Sequence, residues 1–204
     1  MELATIGAQY YGAFHAKYGD TLLPSHRNCP KCQNHQASRW IDKQHEKLLP
    51  VPYFMATFTL PYELRTLAWF NQKTVYSLLF QCVASTLKDF GLNPKNLGAD
   101  IGITMVLHTN SRKLDYHPHI HAVIPGGGID KYRRQWKKTK GKYLFNAFAL
   151  AKVFRARCLA EFEGDGFCLP SMKSTKWVVD CKYVGKGASI FRPLDLSEKG
   201  VAPN

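Results

Sequence analysis

Residues 116–124 read YHPHIHAVI, and three of the eight histidines of the chain stand there at every second position. Successive side chains of a β-strand point to opposite faces, so His117, His119 and His121 share one face of this segment. The other face is apolar and carries Pro118, Ile120, Ala122 and Ile124. Because a core buries the apolar face of a strand, the histidine face is predicted to be the open face of a sheet.

The preceding apolar segment, IGITMVLHT at residues 101–109, adds a fourth histidine to this face. Its alternate apolar residues are Ile101, Ile103, Met105 and Leu107. If the two strands pair and both bury their apolar side chains, His108 falls on the same side as His119. A register shifted by one residue would bury His108 and expose the isoleucines, which the apolar pattern forbids. The sequence thus predicts four imidazoles on one patch of sheet.

Such a cluster of histidines indicates a metal site. Neutral imidazole is a common ligand of divalent ions, and two imidazoles separated by one residue on a strand can reach the same ion. His119 and His121 are the predicted pair, and either His108 or His117 is predicted to be the third ligand. A solvated polar face would be the better interpretation of a single surface histidine, but the clustering favours metal. The His-x-His pattern alone also occurs in metal-dependent hydrolases.

The segments around these two strands predict an α+β fold. YFMATFTL at residues 53–60 alternates like a strand, and KWVVDCKYV at residues 176–184 is the last predicted strand. Two stretches with helical spacing of apolar residues lie between, one from Asn71 to Gly91 and one from Asn146 to Gly164. The order strand, helix, strand, strand, helix, strand predicts an antiparallel sheet with helices packed on one face.

The composition indicates a polyanionic partner. The chain has 28 Lys and Arg against 15 Asp and Glu, which gives a formal charge of +13. An excess of this size is typical of nucleic-acid binding, while 45% hydrophobic residues are enough for one core. Because no run of eighteen apolar residues and no signal-peptide pattern is found, no membrane association and a cytoplasmic location are predicted.

A basic segment at residues 128–145 is the predicted contact with DNA. Its predicted DNA-binding residues are Lys131, Arg133, Arg134, Trp136, Lys137, Lys138, Lys140 and Lys142. Tyr132 and Tyr143 add aromatic side chains, and single-strand binding combines cations for phosphates with aromatic platforms for bases. The alternative is an ordinary solvated hairpin. PGGG, at residues 125–128, is interpreted as a turn.

Three stretches together carry a family resemblance: LLPVPYFMATFTLP at residues 48–61, VLHT at 106–109 and HPHIHAVIPGGG at 117–128. They resemble the rolling-circle transposases of the insertion-sequence-ninety-one kind, which are members of the HUH endonuclease superfamily. The resemblance implies a ferredoxin-like, HUH-type antiparallel sheet and a Mg²⁺ or Mn²⁺ ion held by His119 and His121. It also implies that a tyrosine attacks single-stranded DNA.

The chain departs from this family at the catalytic tyrosines, which the family carries as a pair four residues apart on a helix. Residues 190–204 read IFRPLDLSEKGVAPN, no tyrosine follows Tyr183, and Pro193 would break a helix. The chain is therefore expected to be truncated or frameshifted before the catalytic pair. Tyr183 is a substitute nucleophile in principle, but a place in the core or on the sheet surface is the favoured interpretation for it.

Residues 1–50 are predicted to be a small N-terminal appendage, the remnant of a zinc-binding module. Cys29 and Cys32 form a zinc-knuckle-like pair, and the resemblance implies upstream cysteines that this chain does not have before Cys29. His26 and His35 could complete the ligand set, although four ligands within ten residues strain tetrahedral closure. Residues 51–190 are predicted to form the transposase domain and residues 191–204 an irregular tail.

The predicted function is that of a transposase-related protein that binds single-stranded DNA. It has a divalent-metal site for DNA strand cleavage and transfer, and it lacks the tyrosine nucleophile. Two alternatives stand beside it: a non-catalytic remnant that binds single-stranded DNA, and an unrelated metal-dependent hydrolase. Covalent capture of DNA separates the transposase from the remnant, and a hydrolase would turn over substrate without an adduct.

Overall fold

The computed structural model describes residues 39, 40, 42–111, 113, 115–171 and 176–186. The chain divides into two compact units, Leu49–Ile190 and Met1–Leu48 with Phe191–Asn204. In the unit that contains Met1–Leu48, residues 42–45 are helical, and the Glu46 amide donates to the Asp42 carbonyl at 3.1 Å. Cys29, Cys32 and the predicted tail at residues 191–204 lie outside the described residues.

The unit Leu49–Ile190 alternates strands and helices in the predicted order. Its strands are β1 (Pro52–Thr59), β2 (Thr104–Asn110), β3 (Tyr116–Pro125), β4 (Gly127–Asp130), β5 (Gln135–Lys138) and β6 (Val178–Lys186). Its helices are α1 (Arg65–Phe70), which follows a 3₁₀ turn at Tyr62–Leu64, α2 (Gln72–Leu92) and α3 (Ala147–Gly164). The sequence patterns predicted all of these except α1 and the division of the basic segment into two strands.

Four strands form one antiparallel sheet in the order β2-β3-β1-β6. With α2 between β1 and β2, and α3 between β3 and β6, this is the ferredoxin-like arrangement. The two helices pack on one face of the sheet, as the contact between Phe58 of β1 and Phe154 of α3 shows, with ring centroids 5.0 Å apart. The prediction of an α+β fold with helices on one face is confirmed.

Alternation along the central strands decides which face is buried. Phe54, Ala56 and Phe58 of β1 and Ile120 and Ile124 of β3 are all at most 1% exposed. On the other side of these strands, Met55, Thr57 and Thr59 of β1 and the histidines of β3 are only partly buried, while Tyr53 is buried. Among the described residues, the helices pack on one face of the sheet, and no helix packs on the other face.

The helix ends follow the sequence signals with one difference. The Asn146 side chain caps α3 by accepting a hydrogen bond from the Ala149 amide at 2.9 Å, as predicted. Gly91, predicted to end the first long helix, instead lies inside the last turn of α2, which continues to Leu92. A Cβ on Gly91 would stand 3.0 Å from the Ile101 side chain, so this glycine permits close packing.

The PGGG segment differs from the predicted simple turn, because two of its glycines lie in β4, which pairs with β5 as a hairpin. A Cβ on Gly128 would approach the Asp100 carbonyl oxygen to 2.4 Å, and one on Gly127 would approach the Trp136 ring to 2.6 Å. The two glycines therefore allow the Asp100 backbone and the Trp136 ring to pack closely against β4.

In the described part of the chain, no helix is both long and apolar enough to cross a membrane.

Candidate metal centre

Strand register brings the histidines together on the open face of the sheet. His108 of β2 stands directly opposite His119 of β3, and Thr57 of β1 stands opposite His121. Leu107 pairs with Ile120 on the buried side. The register inferred from the apolar pattern is confirmed, and with it the arrival of His108 beside the two histidines of β3.

Three of the four histidines form a compact cluster. Ligand nitrogens of His108, His119 and His121 all lie within 4.8 Å of one another. Their ring centroids are 5.2 Å apart for His108 and His119, 4.6 Å for His108 and His121, and 4.9 Å for His119 and His121. Since imidazole nitrogens bind a metal at about 2 Å, small side-chain rotations would let all three share one ion. The residues fit a divalent ion.

Hydrogen bonds hold two of these rings in orientations that suit a metal. The Nδ1 of His119 donates to the His117 carbonyl oxygen at 2.7 Å, and the Nδ1 of His121 lies 3.0 Å from the Thr57 hydroxyl. When Nδ1–H donates to the threonine oxygen, the lone pair of His121 Nε2 is free for an ion. Such outer partners fix the tautomer and the ring direction of metal-binding histidines.

The surroundings of the cluster favour neutral imidazole. Burial and, to a smaller extent, the neighbouring His108 and His119 together lower the pKa of His121 to about 4. Burial and His119 lower the pKa of His108 as well. Because a metal binds the deprotonated ring, these histidines need no costly loss of a proton near neutral pH.

His117, the other predicted third ligand, is not part of the compact cluster. Its Nδ1 accepts a hydrogen bond from Nη2 of Arg65, because a guanidinium can only donate. Burial lowers the pKa of His117, and so does the charge of Arg65. Of the two residues left open by the sequence, the geometry brings His108, and not His117, to His119 and His121.

Tyr183 lies away from the histidine cluster. It pairs with Phe54 across β6 and β1, and its ring packs on the Phe54 ring with centroids 5.9 Å apart. Phe54 is a core residue on the face that the helices cover, whereas Thr57 and His121 lie on the open face. This placement agrees with the favoured interpretation of Tyr183 as a sheet residue.

The basic segment forms the β4–β5 hairpin and its flanks, and most of its predicted DNA-binding side chains are exposed. The exposed cations are Lys131, Arg133, Arg134, Lys137, Lys138, Lys140 and Lys142. Tyr132 at its tip is fully exposed, while Trp136 is half-buried against Gly127. Trp136 thus has a packing role that the prediction of a DNA contact did not include.

The hairpin follows the far end of β3 from the histidines. β3 continues for four residues beyond His121, to Pro125, which at about 3.3 Å per residue is roughly 13 Å, and the hairpin begins two residues later at Gly127. The sequence alone placed both features in one short stretch without showing this separation. A DNA strand that touches both must span several nucleotides.

Two residues of this site were not predicted. Thr57 lies on the polar side of β1, so alternation could have placed it on the histidine face, but not beside His121. Nothing in the local sequence could have indicated that Arg65 reaches His117, because the two residues are 52 positions apart.

Two parts of this chain match known protein families. Residues 102–194 match the family described as "Putative transposase", and residues 22–60 match the one described as "Transposase zinc-binding domain". The first match contains β2, the histidine strand and β6. The second contains Cys29, Cys32 and β1, and supports zinc at the N-terminal segment.

Two curated proteins are similar to this chain. The "Putative transposase y4qJ" of Sinorhizobium fredii is 38% identical over 137 residues, 67% of this chain and 34% of that protein. The "Transposase for insertion sequence element IS801" of Pseudomonas savastanoi pv. phaseolicola is 34% identical over 111 residues, 54% of this chain and 26% of that protein. The chain thus spans about a third or less of the length of these relatives.

Among solved structures, the conjugative relaxase TrwC in complex with mutant OriT DNA is similar, with 22% identity and a TM-score of 0.46. The match covers 60% of this chain and 48% of the relaxase. A TrwC complex with a 27-mer DNA comprising the recognition hairpin and the cleavage site matches at 21% identity and a TM-score of 0.47, over 61% and 49% of the two chains. The two family matches and the two curated relatives support the resemblance of this chain to the transposases of the insertion-sequence-ninety-one kind.

Proposed function

We propose that the chain binds single-stranded DNA and presents a divalent-metal site, formed by His108, His119 and His121, for DNA strand cleavage and transfer. The observation that carries this proposal is the convergence of the three histidines on the open face of the sheet. The family matches and the charge of +13 support DNA as the substrate. Mg²⁺ or Mn²⁺ is the proposed ion.

The protein's own contribution to this chemistry is positional. A bound divalent ion would neutralise charge on the scissile phosphate, whose oxygens otherwise repel a nucleophile. His108, His119 and His121 supply the ligand nitrogens, and Thr57 with the His117 carbonyl holds two of the rings in place. Because no helix covers this face in the described residues, an extended DNA strand can reach the cluster.

We further propose that this chain lacks the tyrosine nucleophile. Tyr183 packs on the helix-covered side of the sheet. The Tyr116 hydroxyl is 2.7 Å from that of Tyr76, and burial raises the pKa of Tyr116, which disfavours a phenolate. This supports a non-catalytic DNA-binding remnant over a working tyrosine transposase, whereas an unrelated hydrolase, whose nucleophile would be water, is separated from the remnant only by product release.

We expect the protein, incubated with Mn²⁺ and labelled single-stranded DNA, to bind it without forming an adduct that survives SDS. A phosphotyrosine link requires a tyrosine oxygen in line with the leaving oxygen and facing the histidines. Gel electrophoresis under denaturing conditions is the measurement. An SDS-stable adduct that disappears when the mapped tyrosine is changed to Phe would contradict the proposal and show a working nucleophile. Product release without an adduct would instead favour the hydrolase.

The hairpin is proposed as a second DNA contact. Replacing Arg133, Arg134, Lys137 and Lys138 with Ser should flatten the dependence of log affinity on log salt by up to about 3, since each phosphate contact to a single strand contributes about 0.7. Fluorescence anisotropy at several salt concentrations measures the slope. Lys88, Lys152 and Lys176 are exposed and offer control positions outside the hairpin. An unaltered slope would place the DNA site elsewhere.

The remaining assignments stay proposals. Residues 1–50 are proposed as a remnant zinc module with Cys29 and Cys32 as ligands, residues 51–190 as the transposase domain, and residues 191–204 as an irregular tail. A cytoplasmic location is proposed because a DNA substrate in a bacterial cell lies there.

A further inference from the structure

A stripe of two exposed aromatic side chains and one half-buried arginine follows β1 where the chain leaves the sheet. Tyr62 is 76% exposed and Trp69 55% exposed, and Arg65 lies between them. Positions three and four apart share one face of a helical segment, so these three side chains lie on one side. Leu64 and Ala68 lie on the opposite side and are fully buried. Burial of that side explains the helix, but it does not explain the exposed aromatic residues.

Contacts within the stripe arrange it as a unit. The Arg65 guanidinium carbon lies 5.3 Å from the centre of the Tyr62 ring, a cation–π geometry. The Trp69 ring meets the Tyr116 ring edge-on at 4.9 Å. Arg65 and Trp69 are thereby fixed at the start of β3, while part of the tryptophan surface stays free.

The stripe adjoins the metal cluster. Arg65 donates to His117, and the His117 ring is 5.4 Å from the ring of His119, one of the three clustered histidines. The Leu60 amide also donates to the Pro118 carbonyl at 3.0 Å, which ties the start of this segment to β3 between His117 and His119. The stripe is therefore at the histidine end of β3, and the basic hairpin follows the other end.

We propose that Tyr62, Arg65 and Trp69 form a binding surface for the single-stranded DNA that enters the histidine site. Aromatic side chains stack on bases whatever their sequence, and a guanidinium pairs with phosphate oxygens through its fork of N–H donors. The positive charge of Arg65, which donates a hydrogen bond to His117, attracts the phosphate backbone toward the cluster. This inference rests on the proposed function and adds the residues that hold the strand next to the metal ligands.

Binding of a labelled oligothymidine strand, measured by fluorescence anisotropy without metal, tests the surface. Tyr62→Ala and Trp69→Ala should each weaken binding roughly 5- to 100-fold, the effect expected for loss of one stacked base. Arg65→Gln should reduce the salt slope by about 0.7. Phe148→Ala and Lys152→Gln are matched controls on α3, where Phe148 is 80% exposed and Lys152 is also exposed; both should bind like the wild type.

Mn²⁺ titration of the same variants separates this inference from the proposed function. Unchanged Mn²⁺ affinity with weakened DNA binding supports the surface. Normal DNA binding by all three variants would contradict the proposed binding surface but not the metal site. A wild-type protein that binds no single-stranded DNA would contradict both the surface and the proposed function. Because Trp69 also packs on Tyr116, thermal melting accompanies each measurement, and Trp69→Phe should retain most of the DNA affinity. Lower stability with normal DNA affinity would show that the stripe packs against protein instead.

Discussion

Replacing His119 and His121 together with Ala should abolish saturable Mn²⁺ binding. The two residues supply two of the three nitrogens that lie within 4.8 Å of one another, and one remaining imidazole is a weak site. Loss of an outer partner alone costs roughly 10- to 100-fold in metal affinity, so loss of two direct ligands should exceed about 100-fold. Isothermal titration calorimetry measures the affinity directly.

Single substitutions on the same strands provide the controls. His117→Ala should keep Mn²⁺ affinity near that of the wild type, because the Nδ1 of His117 is bonded to Arg65 and lies outside the cluster. His108→Ala should weaken it. The opposite ranking would show that His117 is the third ligand, and unchanged affinity in the double variant would refute the metal site altogether.

Replacing Phe154 with Ala should lower the free energy of unfolding by about 3–5 kcal/mol, the usual cost of removing a large buried aromatic side chain. The Phe154 ring is fully buried between the Phe58 ring, 5.0 Å away, and the Trp177 ring, 5.3 Å away. It therefore joins α3 to β1 and to the chain entering β6. Urea denaturation followed by circular dichroism measures the change.

The same helix provides the matched control for this substitution. Phe148→Ala removes a ring that is 80% exposed at the start of α3, and its effect should stay within about 0.5 kcal/mol. Equal losses in the two variants would mean that core packing at Phe154 does not determine the cost, because Ala has a higher helix propensity than Phe at both positions. A small loss in Phe154→Ala would show that this part of the core is loosely packed.

Much of the fold and two of the three clustered histidines, His119 and His121, follow from the sequence alone, because both rest on local periodicity. Alternation in residues 116–124 separates the histidine face from the apolar face, and burial then permits only one register with the preceding strand. That register placed His108 beside His119, as the structure shows. Asn146 likewise marked the start of α3 through its capping chemistry.

Tertiary structure decided what depends on contacts between distant segments. Periodicity indicates the face on which each histidine lies but not the distances between them, so it left the third member of the cluster open between His108 and His117. In the structure, His108 pairs with His119 across the strands, while His117 bonds to Arg65, which lies 52 positions earlier in the chain. Nor could periodicity show that the basic hairpin lies at the far end of β3, or that residues 62–70 pass beside the histidines. The direction of β3 and the path of the chain after β1 determine where the hairpin and residues 62–70 lie. Neither leaves a pattern in the neighbouring sequence.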